Sequence, residues 1–287
     1  MGDVIETGVE WLLDNAQPLF DAVSAIVGSV TSGLELGLLA VPAWLLSTGV
    51  ALLALWRVGW RFAAFTLVAF AIIAGMGLWR PTVATLALVL SATVFSLFVG
   101  LPLGVLGAKS DLAHRIMRPV LDFMQTMPAF VYLIPAAMFF GLGRVPGAIA
   151  TIIFATPPAV RLTDLGIRQV PRETVEAGIA FGCSARQLLL KVELPSALPS
   201  IMAGVNQNMM LALSMVVIAS MIGAGGLGNE VLRGIQRMDI GLGFEGGIGV
   251  VLLAIVLDRI TQSFGEKRAD AWRWLRRLFT FNRERGQ

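Results

Sequence analysis

The chain has 287 residues, of which 56% are hydrophobic and 14% charged, with a mean hydropathy of +0.77. A soluble domain carries about a quarter charged residues, so this chain has too little polar surface to cover itself in water. With one cysteine, Cys183, and one histidine, His114, neither an internal disulfide nor a Cys/His metal site can be assembled, and both residues read as structural. The pI of about 9.6 does not mark a nucleic-acid binder, because the basic residues flank apolar segments.

Residues 1–35 hold Asp3, Glu6, Glu10, Asp14, Asp21 and Glu35 and no Lys or Arg, so a cleavable leader with a basic start is not expected. Val9, Leu12, Leu13, Leu19, Phe20, Val23 and Ile26 recur between the acids at rough helical spacing. This predicts an amphipathic helix on the outer, periplasmic surface, with a frayed tail as the alternative. Crossing a bilayer takes about 20 apolar residues, and seven spans are read at 36–56, 62–79, 82–108, 120–142, 145–160, 201–222 and 243–257, the fifth cut short by Pro157-Pro158. Alternating from an outside N-terminus puts eighteen Lys and Arg inside and four outside. Cytoplasmic loops attract these residues, so the expected orientation is N-out, C-in. The membrane domain is then 36–260, followed by a basic cytoplasmic tail, 261–287. In that tail Trp272, Trp274, Leu275, Leu278 and Phe279 alternate with Arg and either meet anionic lipid or form a solvated helix. The fold class is all-α, a polytopic membrane helix bundle.

Residues 161–200 form a long polar loop on the inside. Pro171 with Arg172-Glu173 predicts a helix start, Gly182 stops that helix, and Ser184 caps a second one over 185–193 that Pro195 breaks. Val175, Ile179, Leu188, Leu189 and Val192 leave an apolar face. It suits docking to another protein or an ordinary linker between spans.

Within the spans, Asp122 and Gln125 lie early in the fourth, Glu245 early in the seventh, and Asn206, Gln207 and Asn208 early in the sixth, followed by Met210 and Ser214. Polar groups in hydrocarbon are costly, so these face an aqueous path or a partner helix. Gly223-Ala-Gly225-Gly-Leu-Gly228 and Gly241-Leu-Gly243-Phe-Glu-Gly246 match G-x-G-x-x-G. An apolar helix rather than a strand precedes the first, so a turn is expected instead of dinucleotide binding. No P-loop motif and no nucleophile–base set occurs, so no catalytic site, metal site or cofactor is expected in this chain.

Glu176-Ala177-Gly178, then Gly182 after three intervening residues, then Val192-Glu193-Leu194-Pro195 after nine more, resemble the EAA signature of ABC-importer permeases. Gly178 stands where the family has Ala, and Val192 where it has Ile. The stretches 201–222, Gly225-Gly226-Leu227-Gly228, 231–235 and 257–262 are similar to the permease subunits for glycine betaine, proline betaine and choline. The resemblance implies a type I importer permease of the bacterial inner membrane. Two copies would form the pathway, two cytosolic ATPases would hold ATP and Mg, and a periplasmic binding protein would deliver solute. The loop would be the coupling helix, with Glu176 touching the ATPase, Gly182 making the turn and Leu194-Pro195 ending the element. The rival readings are a stand-alone secondary transporter or channel and a non-transporting membrane scaffold or sensor.

Overall fold

The computed structural model describes residues 2–265, and the basic tail beyond Gly265 lies outside them. In chain order the helices are α1 (Gly2–Ala40), α2 (Ala43–Arg57), α3 (Trp60–Gly75), α4 (Trp79–Lys109), α5 (Asp111–Thr126), α6 (Leu133–Phe140), α7 (Arg144–Arg168), α8 (Arg172–Ala180), α9 (Ala185–Leu188), α10 (Leu194–Ala219), α11 (Leu227–Arg237) and α12 (Ile240–Gly265). Short 3-10 turns precede α6 and follow α10, and a π-helical turn, Leu189–Glu193, joins α9 to α10. The described residues contain no strand, in line with the all-α expectation.

Several expected boundaries move. The predicted span 36–56 is two helices. Val41 precedes Pro42, whose ring disfavours helical backbone in the residue before it. The Pro42 carbonyl then caps α2, accepting from the amides of Leu45 at 2.9 Å and Leu46 at 3.1 Å. α1 runs unbroken through residue 35, and its stretch Asn15–Ala40 is itself long and apolar enough to cross a bilayer. The predicted span 120–142 is bent by 107° between α5 and the segment Ala129–Phe140, at Met127-Pro128, where Met127 takes extended backbone (φ −68°, ψ 133°). The fifth span does not stop at Pro157-Pro158. Both prolines are buried inside α7, which is 25 residues long, about 37 Å at 1.5 Å per residue. Among the described residues five helices, or six with the bent pair, are long and apolar enough to span, against the seven predicted; α2 and α3 are apolar but short.

α4, α7 and α10 form the centre. α4 and α7 run side by side in the same direction. Gly104 sits so close to α7 that a Cβ there would lie 2.5 Å from Thr163 Cβ, while a Cβ at Gly204 of α10 would lie 3.0 Å from Leu162 Cβ. Small residues let membrane helices approach to this distance. The largest apolar cluster, including Phe70, Ile73, Leu88, Leu213, Leu227, Leu253 and Val256, fastens α3 and α12 onto that centre. A second cluster, Ile167, Val170, Ala197 and Ile201 with Val175, Leu189 and Leu194 against it, lies beneath α8 and α9. The bundle thus has one end carrying 107–114 and 161–200, and an opposite end carrying 41–43, 76–81, 141–146 and 220–241.

Candidate coupling loop and pathway

α8 begins as its sequence predicts, with Pro171 as N-cap and its carbonyl accepting from the Thr174 amide at 3.0 Å. It ends in a paired-hydrogen-bond C-cap: the Gly182 amide donates to the Ile179 carbonyl at 2.9 Å and the Cys183 amide to the Gly178 carbonyl at 3.1 Å, the Schellman arrangement. Gly182 makes the turn at φ +79°, a region that costs any residue with a Cβ. Ser184 caps α9 through a reciprocal box with Gln187, whose side chain accepts from the Ser184 amide at 2.9 Å. Gly178 is buried, and a Cβ there would lie 2.7 Å from Leu188 Cδ1. The departure from Ala at this position therefore lets α8 lie closely on α9.

The second helix does not break at Pro195, as expected from the sequence. The π-turn carries one extra residue per bond, with the Leu194 amide donating to the Leu189 carbonyl. Pro195 has no donor and would crowd the carbonyl four residues back, and the wider turn absorbs both problems. α9, the π-turn, α10 and the 3-10 turn that follows it consequently form one 38-residue rod, Ala185–Ile222. Leu194 is half-buried over the apolar cluster and Pro195 is exposed on the rod.

The apolar face predicted for the loop divides. Val175 and Leu189 turn inward, whereas Ile179 is 58% and Phe181 90% exposed. Glu176 and Ala177 are exposed beside them. Phe181 did not stand out in the sequence. Its signal was a bulky aromatic one residue before a stop glycine, where a C-terminal side chain has no helix neighbour to rest on.

Around the base of the loop the charges pair. Arg168 reaches the Asp111 carboxylate at 2.8 Å, the Asp164 carboxylate at 2.9 Å and the Gly107 carbonyl at 2.7 Å, and His114 Nδ1 lies 2.5 Å from Asp164 Oδ2. Lys109 pairs with Glu193.

The predicted pathway residues separate into three sets. Asp122 pairs with Arg161, and Gln125 is exposed on α5. Asn206 donates to Asp258 at 2.9 Å, and Asn208, fully buried, donates to Ser96 Oγ at 2.5 Å and to the Ala155 carbonyl at 2.7 Å. These two knit α10 to α12, α4 and α7. Gln207, Met210 and Ser214 instead share one uncovered face of α10, at helical spacing, and Met221 is exposed in the 3-10 turn that follows. At the opposite end a cavity of about 650 Å3 opens among Glu35, Trp79, Arg80, Arg144 and the Gly225-Gly226 turn, where Glu35 pairs with Arg144. That turn has positive φ at both glycines and lies against Thr85, which accepts the Leu227 amide at 2.8 Å. It is a turn with no preceding strand, as the sequence argued.

The fold is a polytopic helix bundle with a polar helical hook at one end. Residues 100–269 match the family described as "Binding-protein-dependent transport system inner membrane component". The chain belongs to that family and is a multi-pass inner-membrane protein. It is 51% identical over 277 residues to the glycine betaine/proline betaine transport system permease protein ProW of Escherichia coli (strain K12), covering 96% of this chain and 77% of that protein. It is 46% identical over 268 residues to the glycine betaine transport system permease protein OpuAB of Bacillus subtilis (strain 168), covering 93% of this chain and 95% of that protein. Its fold is shared with the MetNI methionine ABC transporter in inward-facing conformations, with a TM-score of 0.56, 25% identity, and coverage of 66% of this chain and 92% of that one. The family is that of binding-protein-dependent permeases, which leaves the stand-alone transporter without support.

Proposed function

We propose that this chain is the permease subunit of an ATP-driven importer for glycine betaine-like quaternary ammonium osmolytes, working as a homodimer by alternating access. Two separate ATPases, which hold ATP and Mg, dock on the hook at 172–193, and a binding protein delivers solute at the cavity end. The observation that carries this reading is the hook's tip: Glu176, Ala177, Ile179 and Phe181 stand in the open on a capped, closely packed scaffold. An apolar side chain exposed to this degree on an otherwise polar loop is the kind of anchor that fills a partner's pocket. The hook faces the cytoplasm in this reading, in accord with the excess of Lys and Arg at that end. The solute class follows from the relatives, whose names give glycine betaine and proline betaine. Gln207, Met210 and Ser214 line the pathway between the two copies, as the uncovered face of α10 suggests. The decisive test is uptake of labelled glycine betaine into proteoliposomes holding the chain, its ATPase and its binding protein. Uptake that needs all three and ATP is expected, and uptake by the chain alone on an ion gradient would overturn the reading.

A further inference from the structure

Glu193 is only 6% exposed although it belongs to a polar loop. The π-turn Leu189–Glu193 sets it inward, where its carboxylate meets Lys109 at the last turn of α4. Lys109 stands beside a rigid base: Arg168 of α7 bonds the Gly107 carbonyl of α4 and the Asp111 carboxylate of α5, and Asp164 of α7 holds both Arg168 and His114. Among the described residues, Lys109–Glu193 is the only ion pair between the hook 172–193 and that base. The hook runs on through the π-turn into α10, while its side-chain packing near α4 and α7 is apolar, as with Val175 and Leu189. A buried carboxylate cannot leave its cation without exposing an uncompensated charge, so this pair has to move as a unit.

We propose that Glu193 is a positioning residue whose pair with Lys109 pins the hook to α4 and α7, so that a push on the hook displaces those helices rather than slipping over them. This rests on the ATP-coupled reading above. The test reconstitutes the full chain with its ATPase and binding protein and measures solute imported per ATP hydrolysed, a ratio that does not depend on how much complex is recovered. Wild-type vesicles that import nothing on ATP would sink the coupled reading itself. Where wild type does import, Glu193→Gln and Lys109→Met are each expected to lower the ratio about fivefold or more, the effect of losing roughly one kcal/mol of interaction. Lys109→Arg keeps a cation and is expected to preserve the ratio. The double variant Glu193→Gln with Lys109→Met is expected to be no worse than either single change, because one interaction is lost in all three. Should either single variant fail to assemble, the double variant decides, since it leaves no charge of the pair without a partner: a ratio lowered about fivefold is expected, and an unchanged ratio would overturn the proposal. Unchanged ratios in the single variants, or losses that multiply in the double, would overturn the proposal.

Discussion

A methyl group at Gly104 would meet Thr163 Cβ at 2.5 Å and the Val160 carbonyl oxygen at 2.7 Å, and backbone has no rotamer by which to retreat. Gly104→Ala is expected to prise α4 from α7 and cost about 1–3 kcal/mol, the usual range for overpacking. The readout is a lower thermal midpoint of the purified chain in detergent. Gly33→Ala, where a Cβ meets nothing within 4 Å, is expected to leave the midpoint unchanged or slightly higher, since Ala outranks Gly in a helix. Equal midpoints for the two variants would contradict this packing. Asn208→Ala removes the two hydrogen bonds that tie α10 to α4 and α7 and leaves Ser96 and the Ala155 carbonyl short of a donor. The midpoint should fall here too, for a loss of about 1–3 kcal/mol of stability.

Among the elements, the hook makes the sharpest prediction. Phe181→Asp is expected to leave the chain in the membrane and abolish co-purification of the ATPase, because the change puts a charge where an apolar anchor stands and touches nothing in the bundle. Retention of the ATPase by this variant would remove the docking role from the tip. Glu176→Lys and Gly182→Pro are expected to spare membrane insertion and uncouple transport; normal uptake by either counts against the loop. Much of this element could be read in the chain: Pro171, Gly182 and Ser184 each act on backbone within three residues, and local capping chemistry needs no tertiary context. What could not be read depended on distant partners. The π-turn arises because Pro195 must be accommodated while the Leu194 side chain stays on the cluster beneath. The partner that buried Glu193 meets, Lys109, lies 84 residues earlier. Pro157-Pro158 read as a stop, yet α7 runs on through them, packed between α4 and α10. Met127-Pro128 fell inside a predicted span and became its sharpest bend.

For the whole molecule, the lone cysteine reports orientation. Cys183 lies on the hook and is partly accessible. A membrane-impermeant maleimide is expected to label it in inside-out vesicles and to miss it in spheroplasts. Labelling from the outer face would place the hook on the wrong side for any cytosolic engine. The all-α class was legible because bilayer thickness acts on composition. The number of crossings was not, because a hydropathy window cannot see a break at Val41-Pro42 or tell a short hairpin from a full crossing.

That hairpin gives the protein an uneven waistline. α2 and α3 hold 15 and 16 residues, about 22–24 Å each, whereas the surrounding hydrocarbon is about 30 Å deep. Their shared turn is moored to the end of α12, where Arg57 donates to the Ser263 carbonyl at 2.5 Å and lies over the Phe264 ring. Where α2 and α3 face lipid, a shortfall of about 6–8 Å is met by local thinning of the bilayer or by the flanking Trp56, Arg57, Trp60 and Arg61; thinning would draw the lipid into a dimple. Acyl-chain length becomes a mechanical input: vesicles of short-chain lipid should relax the dimple and long-chain lipid deepen it, and transport rate should follow chain length even at constant solute and nucleotide.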